Sequence, residues 1–358
     1  MSELKEVFAA YKKLSFTDRI VFYTTLSNTV NVHEDNLQDF LIETRIADGN
    51  TCIYCEGSHV VKNGKRRDGT QRFLCRDCHK SFLPTSVSIT SRTRKRLSVW
   101  MAYARCLLDQ KTLHESSAEC GISVATAFSW RHKILDALHE MTDKVYLDGV
   151  VEADETFFNV SYKGNHKRFS MPRPPHKRGG DVHTSGLSSE KVCVPCAVSD
   201  TGISYARPGK LGKVSSDCIS RVFDGIISPQ ATLCTDNEKA YRRFSAYSKI
   251  SLIQMETDGR TTYRDGKKYG IQRINAYHSR LKGFMRRFHG VSTKYLGNYL
   301  AWNDLLMSNR RKREELVCLL MVHIMTVRMT VRNRDIPIRP PIPIFTRTRT
   351  CCWSKNTR

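Results

Sequence analysis

The chain is poor in three things, and each shortage removes a class of function. It has no apolar run fit to cross a bilayer: the longest, Leu316 to Val327, is broken by His323, and a spanning helix needs about 20 apolar residues. It has no leader-like start, because Met1 to Lys13 carries Glu3, Lys5, Glu6, Lys12 and Lys13 with no apolar core between them. It is short of acid, with 35 Asp and Glu against 58 Lys and Arg, a formal net charge of +23 and a pI near 9.6. The expectation is a cytoplasmic, nucleoid-associated protein with no membrane partner. In that compartment 13 cysteines, an odd number, do not read as a disulfide framework, so metal binding is the first explanation to test.

The positive surplus is far larger than solubility requires and points to a polyanion, double-stranded DNA above all. A ribosome-associated or membrane-surface protein would share it. At 358 residues and 40% hydrophobic content the chain can bury two or three separate cores. Residues 1–48 hold two helical patterns, with five basic and eight acidic residues, and read as a packing or protein-contact segment with no role on DNA.

Residues 49–84 carry Cys52-Ile-Tyr-Cys55 and Cys75-Arg-Asp-Cys78. Two thiolate knuckles at this spacing suit tetrahedral Zn²⁺, and Asn63-Gly64 and Asp68-Gly69 supply hairpin turns, as in a zinc ribbon. The intervening Lys65, Arg66 and Arg67 are either phosphate contacts or a solvated face. Residues 93–140 hold apolar positions at helical spacing, a short segment Ser116–Cys120 ending at Gly121, and a helix from Val124 to Leu138 capped by Ser123. That order makes a helix-turn-helix, with Ser123, Thr126, Ser129 and Arg131 as exposed DNA readers and Arg131 and Lys133 able to meet phosphate. A plain helical hairpin would look similar.

Residues 145–306 turn to strands at Val150–Val160, Lys191–Val198, Ile203–Ala206 and Ala231–Thr235, followed by helices. Three antiparallel strands, a crossover and a fourth strand leading to an aspartate describe an α/β, RNase H-like catalytic domain, a mixed sheet flanked by helices. Asp154 and Asp236 each stand where a strand would end. Asn275, His278 and Lys282 lie at i, i+3 and i+7, on one helix face. Two carboxylates and a polar helix face can converge on Mg²⁺ or Mn²⁺, the equipment for cutting and joining phosphodiesters. A long basic loop, Tyr162 to Glu190, includes Arg178 and would border that site. Cys193 and Cys196 fall inside a strand pattern and read as core or edge residues. Residues 307–358 read as a basic helix and tail.

The zinc ribbon, the helix-turn-helix, Glu152-Ala-Asp154-Glu155-Thr156, Arg178-Gly-Gly, Val192-Cys-Val-Pro-Cys-Ala-Val and Ile274–Lys282 followed by Gly290–Trp302 together resemble bacterial insertion-sequence transposases of the ISXO-like, fifteen-ninety-five group. The resemblance covers roughly residues 50 to 305. It implies an acidic triad whose third member is replaced by Asn with Lys seven residues on, a pattern that Asn275 and Lys282 fit. Asp154, Asp236 and Asn275 would then hold two magnesium ions and Lys282 a phosphate. An Asn carbonyl brings no charge and cannot act as a base, so Glu155 or His278 would have to compensate. On this reading Glu155 alternates to the strand face opposite Asp154.

The expected function is a transposase that binds terminal inverted repeats, cleaves to free a 3′-OH and joins it to target DNA, working as a homo-oligomer on paired ends. The alternatives are a non-catalytic DNA-binding regulator derived from a transposase, and a structure-specific nuclease such as a junction resolvase.

Overall fold

The computed structural model describes residues 46, 50–164, 175, 190–255, 261–264, 266–309 and 313–342. In chain order its elements are β1 (Val60–Lys65), β2 (Gln71–Cys75), β3 (Ser81–Phe82), α1 (Leu97–Leu108), α2 (Leu113–Cys120), α3 (Val124–Thr142), β4 (Val150–Asn159), β5 (Lys191–Ser199), β6 (Ser204–Ala206), β7 (Lys210–Leu211), α4 (Ser216–Phe223), β8 (Thr232–Thr235), α5 (Lys239–Ser248), β9 (Ser251–Gln254), β10 (Thr261–Arg264), β11 (Lys267–Gly270), α6 (Gln272–Arg286), α7 (Leu296–Ser308) and α8 (Arg313–Thr326). They fall into two compact units, Met1–Ala137 with Arg310–Arg332, and Leu138–Asn309 with Asn333–Arg358. Among the described residues no helix is long and apolar enough to cross a membrane.

In the first unit β1, β2 and β3 form an antiparallel sheet in that order. Phe73 and Phe82 stack across β2 and β3 at 5.8 Å, over a small core with Ile53, Val60, Cys52 and Cys75. The Asp68-Gly69 turn forms as the sequence suggests: Gly69 sits at φ 81° and the Asp68 carboxylate accepts the Thr70 N–H at 3.1 Å. Asn63-Gly64 does not turn. It lies within β1, where the register with β2 slips between Lys62 and Lys65. Gly64 at φ 68° takes up the extra residue as a bulge, the other use of a left-handed glycine in a strand.

The helices of this unit are fixed by local chemistry. Thr112 and Glu115 make a reciprocal capping box, so α2 begins at Leu113, three residues before the sequence pattern indicated. Gly121 ends it at φ 58°. The Ser123 hydroxyl accepts the Thr126 N–H at 3.1 Å and starts α3. Trp100 of α1 and Trp130 of α3 stack at 3.7 Å, both buried. Burial of α3 on more than one side overturns part of the expected reading face. Ser129 is buried with its hydroxyl on the Ala125 carbonyl, and Arg131 is buried with its guanidinium donating to the Lys111 carbonyl at 2.6 Å. Neither is exposed to read bases. Ser123 is exposed, and Thr126 and Lys133 are half-buried.

The second unit is built on a mixed sheet in the order β6-β5-β4-β8-β9, with β7 also paired to β5. β4, β5 and β6 run antiparallel, whereas β8 and β9 run parallel to β4. A crossover between β4 and a parallel β8 is therefore present, as the strand pattern implied. One face of the sheet packs α4 and α5 through Ile219, Val222, Phe223, Tyr241 and Phe244. Cys193 and Cys196 are buried in β5, an interior strand, so they are core residues and not edge ones.

Candidate active site and metal centre

Four thiols meet at the mouth of the small sheet. The Cys52 and Cys78 sulfurs are 3.7 Å apart and those of Cys55 and Cys75 are 3.6 Å apart. A tetrahedral zinc with bonds of about 2.3 Å requires sulfurs about 3.8 Å apart, so the cluster has the dimensions of such a site. The thiols also compete for protons. Burial resists ionisation of Cys52, but the Cys55 and Tyr54 N–H groups and neighbouring thiols outweigh it and lower its pKa to about 7. At Cys55 the Gly57 N–H favours the thiolate, yet desolvation and the other thiols win and push it up to about 12. Several thiolates at this spacing need a cation between them. Among the described residues only these four bring three or more His, Cys, Asp or Glu ligand atoms within 4.8 Å of one another.

The second site lies where β4 and β8 part. Their parallel pairing runs Val150↔Thr232, Val151↔Leu233, Glu152↔Cys234, and the same register carries Asp154 level with Asp236. Asp236 follows β8 directly, as expected, but Asp154 does not end its strand. It lies in the middle of β4, which continues to Asn159 against β5. The pairing with β8 stops at Glu152↔Cys234, so the sheet has already opened where Asp154 stands.

Asp154 responds to the charge of Asp236. Burial raises the Asp154 pKa to about 6, with Asp236 adding to the rise and Lys282 opposing it. One Asp154 oxygen accepts the Glu155 N–H at 2.8 Å. Asp236 accepts the Glu238 N–H at 3.1 Å, and it is Glu238 that caps α5. A purely capping role for Asp236 is thus taken by its neighbour. Glu155 points to the other face of β4 and accepts from the Tyr241 hydroxyl at 3.4 Å. Burial, then Asp154, Asp236 and Glu238, push it up to about 8. Asp154, raised by burial and by Asp236, is the carboxyl here that a nearby cation would favour in its ionised form.

α6 supplies the third wall. His278 lies with Nδ1 3.7 Å from an Asp154 oxygen, beyond hydrogen-bond range. Burial and Lys282 lower its pKa to about 4, so it stands neutral at pH 7 and the contact is not an ion pair. Its buried Nε2 has no hydrogen-bond partner among the described residues. Asn275 and Lys282 are exposed on the same side of the helix. Of the residues expected at the catalytic centre, Asp154, Asp236, His278 and Lys282 are linked by contact or by charge. Asn275 shares their helix face without a side-chain contact to Asp154 or Asp236 in the structure. Arg178 lies outside the described residues. Lys65, Arg66 and Arg67 are exposed around the β1–β2 connection.

Residues 146–302 match the profile of the ISXO2-like transposase domain. They contain Asp154, Asp236 and Asn275 in one stretch. This region is an ISXO2-like transposase domain. A protein of Halobacterium salinarum described as an uncharacterized protein in transposable element ISH50 is 24% identical over 213 residues, 59% of this chain and 69% of the relative. Two solved structures also match. One is a pre-cleavage Mos1 transpososome, at 10% identity, 87% of this chain, 95% of the other and a TM-score of 0.26. The other is a Mos1 transposase paired-end complex with the left transposon end, at 15% identity, 42% of this chain, 57% of the other and a TM-score of 0.16. Likeness at these TM-scores carries no argument about the fold.

Two anchors of the ISXO2-like domain were not visible in its sequence as site residues. Glu152, two residues before Asp154 and on the same strand face, accepts the backbone N–H groups of Arg273 at 2.6 Å and Ile274 at 3.1 Å, and the Arg273 guanidinium at 3.1 Å. It thereby caps α6, which has no side-chain cap of its own. Asp304 of α7 accepts the Tyr277 hydroxyl at 2.7 Å, the Ala206 N–H at 3.0 Å and Arg207 at 3.0 Å. Arg207, fully buried, also reaches Asp143 and Thr142. The Gly290–Trp302 block that stands out in the sequence is largely packing: Tyr299 and Trp302 join Phe284 and Phe288 of the α6 region in one aromatic cluster.

Proposed function

We propose that this protein is the transposase of an insertion sequence, binding its terminal inverted repeats and catalysing metal-dependent cleavage and strand transfer on an RNase H-like catalytic domain. The observation that carries the reading is the level placement of Asp154 and Asp236 at the opening of two parallel strands, with His278 and Lys282 brought against them from α6. Asp154, Asp236 and the Asn275 amide oxygen would hold two Mg²⁺ or Mn²⁺ ions. When bound, such ions activate an attacking oxygen and stabilise a leaving one. Lys282 places a cation beside the carboxylates, where a scissile phosphate needs one. His278, neutral at working pH, can hold a proton at one ring nitrogen without adding charge.

DNA recognition falls in this reading to the Zn²⁺-bound cysteine module, with Lys65, Arg66 and Arg67 exposed beside it, and to the α2–Gly121–α3 arrangement with Ser123 and Thr126 at its open end. Two ends must be cut and joined together, so a homo-oligomer on paired ends is the expected form. The exposed amide at Asn275, where a third carboxylate would bring charge, favours a second reading, a DNA-binding regulator that has lost catalysis. Purified protein with duplexes taken from the DNA flanking its gene decides between them. Mg²⁺-dependent nicking that disappears in Asp154→Ala and Asp236→Ala, with end binding retained, is the expected result. Undiminished cleavage in either variant overturns the catalytic assignment, and no cleavage by the wild type favours the regulator.

A further inference from the structure

Just ahead of α6 stands a two-stranded ribbon with no role in the site described above. β10 and β11 pair from Thr261↔Gly270 to Arg264↔Lys267, and Gly266, at φ 73°, takes the left-handed position that a tight turn requires. One face is anchored. Tyr269 packs against Cys234, Ile253 and Met255, alongside Val150 and Ile271. The tip and opposite face are open, with Arg264, Lys267 and Lys268 exposed and Tyr263 exposed to 70%.

This is a poor design for a purely structural hairpin. Arg264 stands directly opposite Lys267, and like charges in facing positions destabilise an antiparallel pair. A two-stranded hairpin is marginal to begin with. Against these three cations the sequence from Thr261 to Gly270 carries a single acid, Asp265. A polyanion would relieve the repulsion, and the ribbon's base leads within five residues to Asn275. Resting on the transposase reading, we propose that the β10–β11 ribbon grips the phosphodiester backbone of the DNA duplex that enters the Asp154–Asp236 site, through Arg264, Lys267 and Lys268.

The test is a salt titration of binding by the full chain to a linear, fluorescein-labelled duplex of mixed sequence. Each phosphate contact adds about 0.9 to the slope of log affinity against log salt. Lys267→Ala/Lys268→Ala should flatten the slope by about 1.8, so that between roughly 50 and 200 mM salt the wild type loses about 12-fold more affinity than the variant. The substitutions are exposed and remove repulsion, so folding should not suffer. Lys239→Ala/Arg243→Ala, exposed on α5, removes the same charge elsewhere and should change the slope by much less. A ribbon variant whose slope equals that of the wild type or of the α5 control overturns the proposal. Metal-dependent cleavage by the wild type is scored separately. Intact cleavage with an unchanged ribbon slope sinks the ribbon alone, whereas a flattened slope with no wild-type cleavage sinks the transposase reading and leaves the ribbon as a DNA contact.

Discussion

Replacing Glu152 by Ala should loosen α6 without unfolding the sheet beneath it. Its carboxylate accepts two of the helix's first-turn N–H groups, at 2.6 and 3.1 Å, and Ile274 is fully buried. Loss of a side-chain cap costs about 1 kcal/mol, and leaving a buried donor without an acceptor costs about 1–3 kcal/mol. Water can reach the half-exposed Arg273, so the sum is taken as about 2–3 kcal/mol, local to the start of the helix. A chain of two units does not promise a single unfolding transition, which makes a melting curve a poor readout. Native-state hydrogen exchange of peptides within residues 271–286 is the better assay, because it reads local opening directly. The variant should exchange roughly 30- to 140-fold faster there, at about 1.4 kcal/mol per tenfold, with β4 and β5 unaffected. Glu152→Gln keeps an acceptor but loses the charge facing the helix dipole, worth about 0.5–1 kcal/mol, and should exchange only severalfold faster. Unchanged exchange in Glu152→Ala would refute the capping argument, whatever happened to activity.

Three further outcomes follow from the geometry. Purified protein should carry one zinc per chain, and its removal by a strong chelator, or Cys78→Ser, should expose β1–β3 to protease while leaving the β4–β9 sheet protected; a metal-free protein with an intact small sheet would contradict the thiolate site. Asp143 is pulled down to about 2, against its own desolvation, by His139 and Arg207, so its contribution to stability is present above its ordinary pKa near 3.8 and is lost as pH falls through about 2. Stability measured over that window should fall more steeply in the wild type than in Asp143→Asn, and parallel curves would count against the pair. In a strand-transfer assay Asn275→Ala should lose activity while Asn275→Glu retains a part of it with a lower Mg²⁺ requirement, and wild-type activity in Asn275→Ala would show that the amide is not a ligand.

Local rules made much of this fold legible. A continuous apolar run marked β5, which is buried almost throughout, and Gly121 and Ser123 marked the break between α2 and α3 through backbone geometry that depends on few neighbours. The same local rules misplaced Gly64, since a left-handed glycine serves a bulge as well as a turn. They also misjudged Ser129 and Arg131, because periodicity identifies one buried face and α3 is covered on more than one. Asp154 and Asp236 could be paired only by assuming a register, and that register is set by the whole strand pair. Glu152 was not legible at all as a site residue: its partners are 121 and 122 residues away, and nothing near it in the chain distinguishes a helix cap from an ordinary strand-face acid.

The charge balance around Asp154 gives the Asn at 275 a physical rationale. Burial and then Asp236 hold Asp154 up to about 6, while burial, Asp154, Asp236 and Glu238 hold Glu155, on the other face of β4, up to about 8. Lys282 opposes this at Asp154. A further carboxylate on the α6 face, one turn from His278, would add repulsion before any cation arrived and hold more of the cluster protonated. An amide offers an oxygen to a cation without that cost, and Glu155, on the far face of the strand, adds negative potential without occupying a coordination position. The substitution therefore fits a site in which charge comes from β4 and β8 while α6 contributes a neutral ligand and a cation.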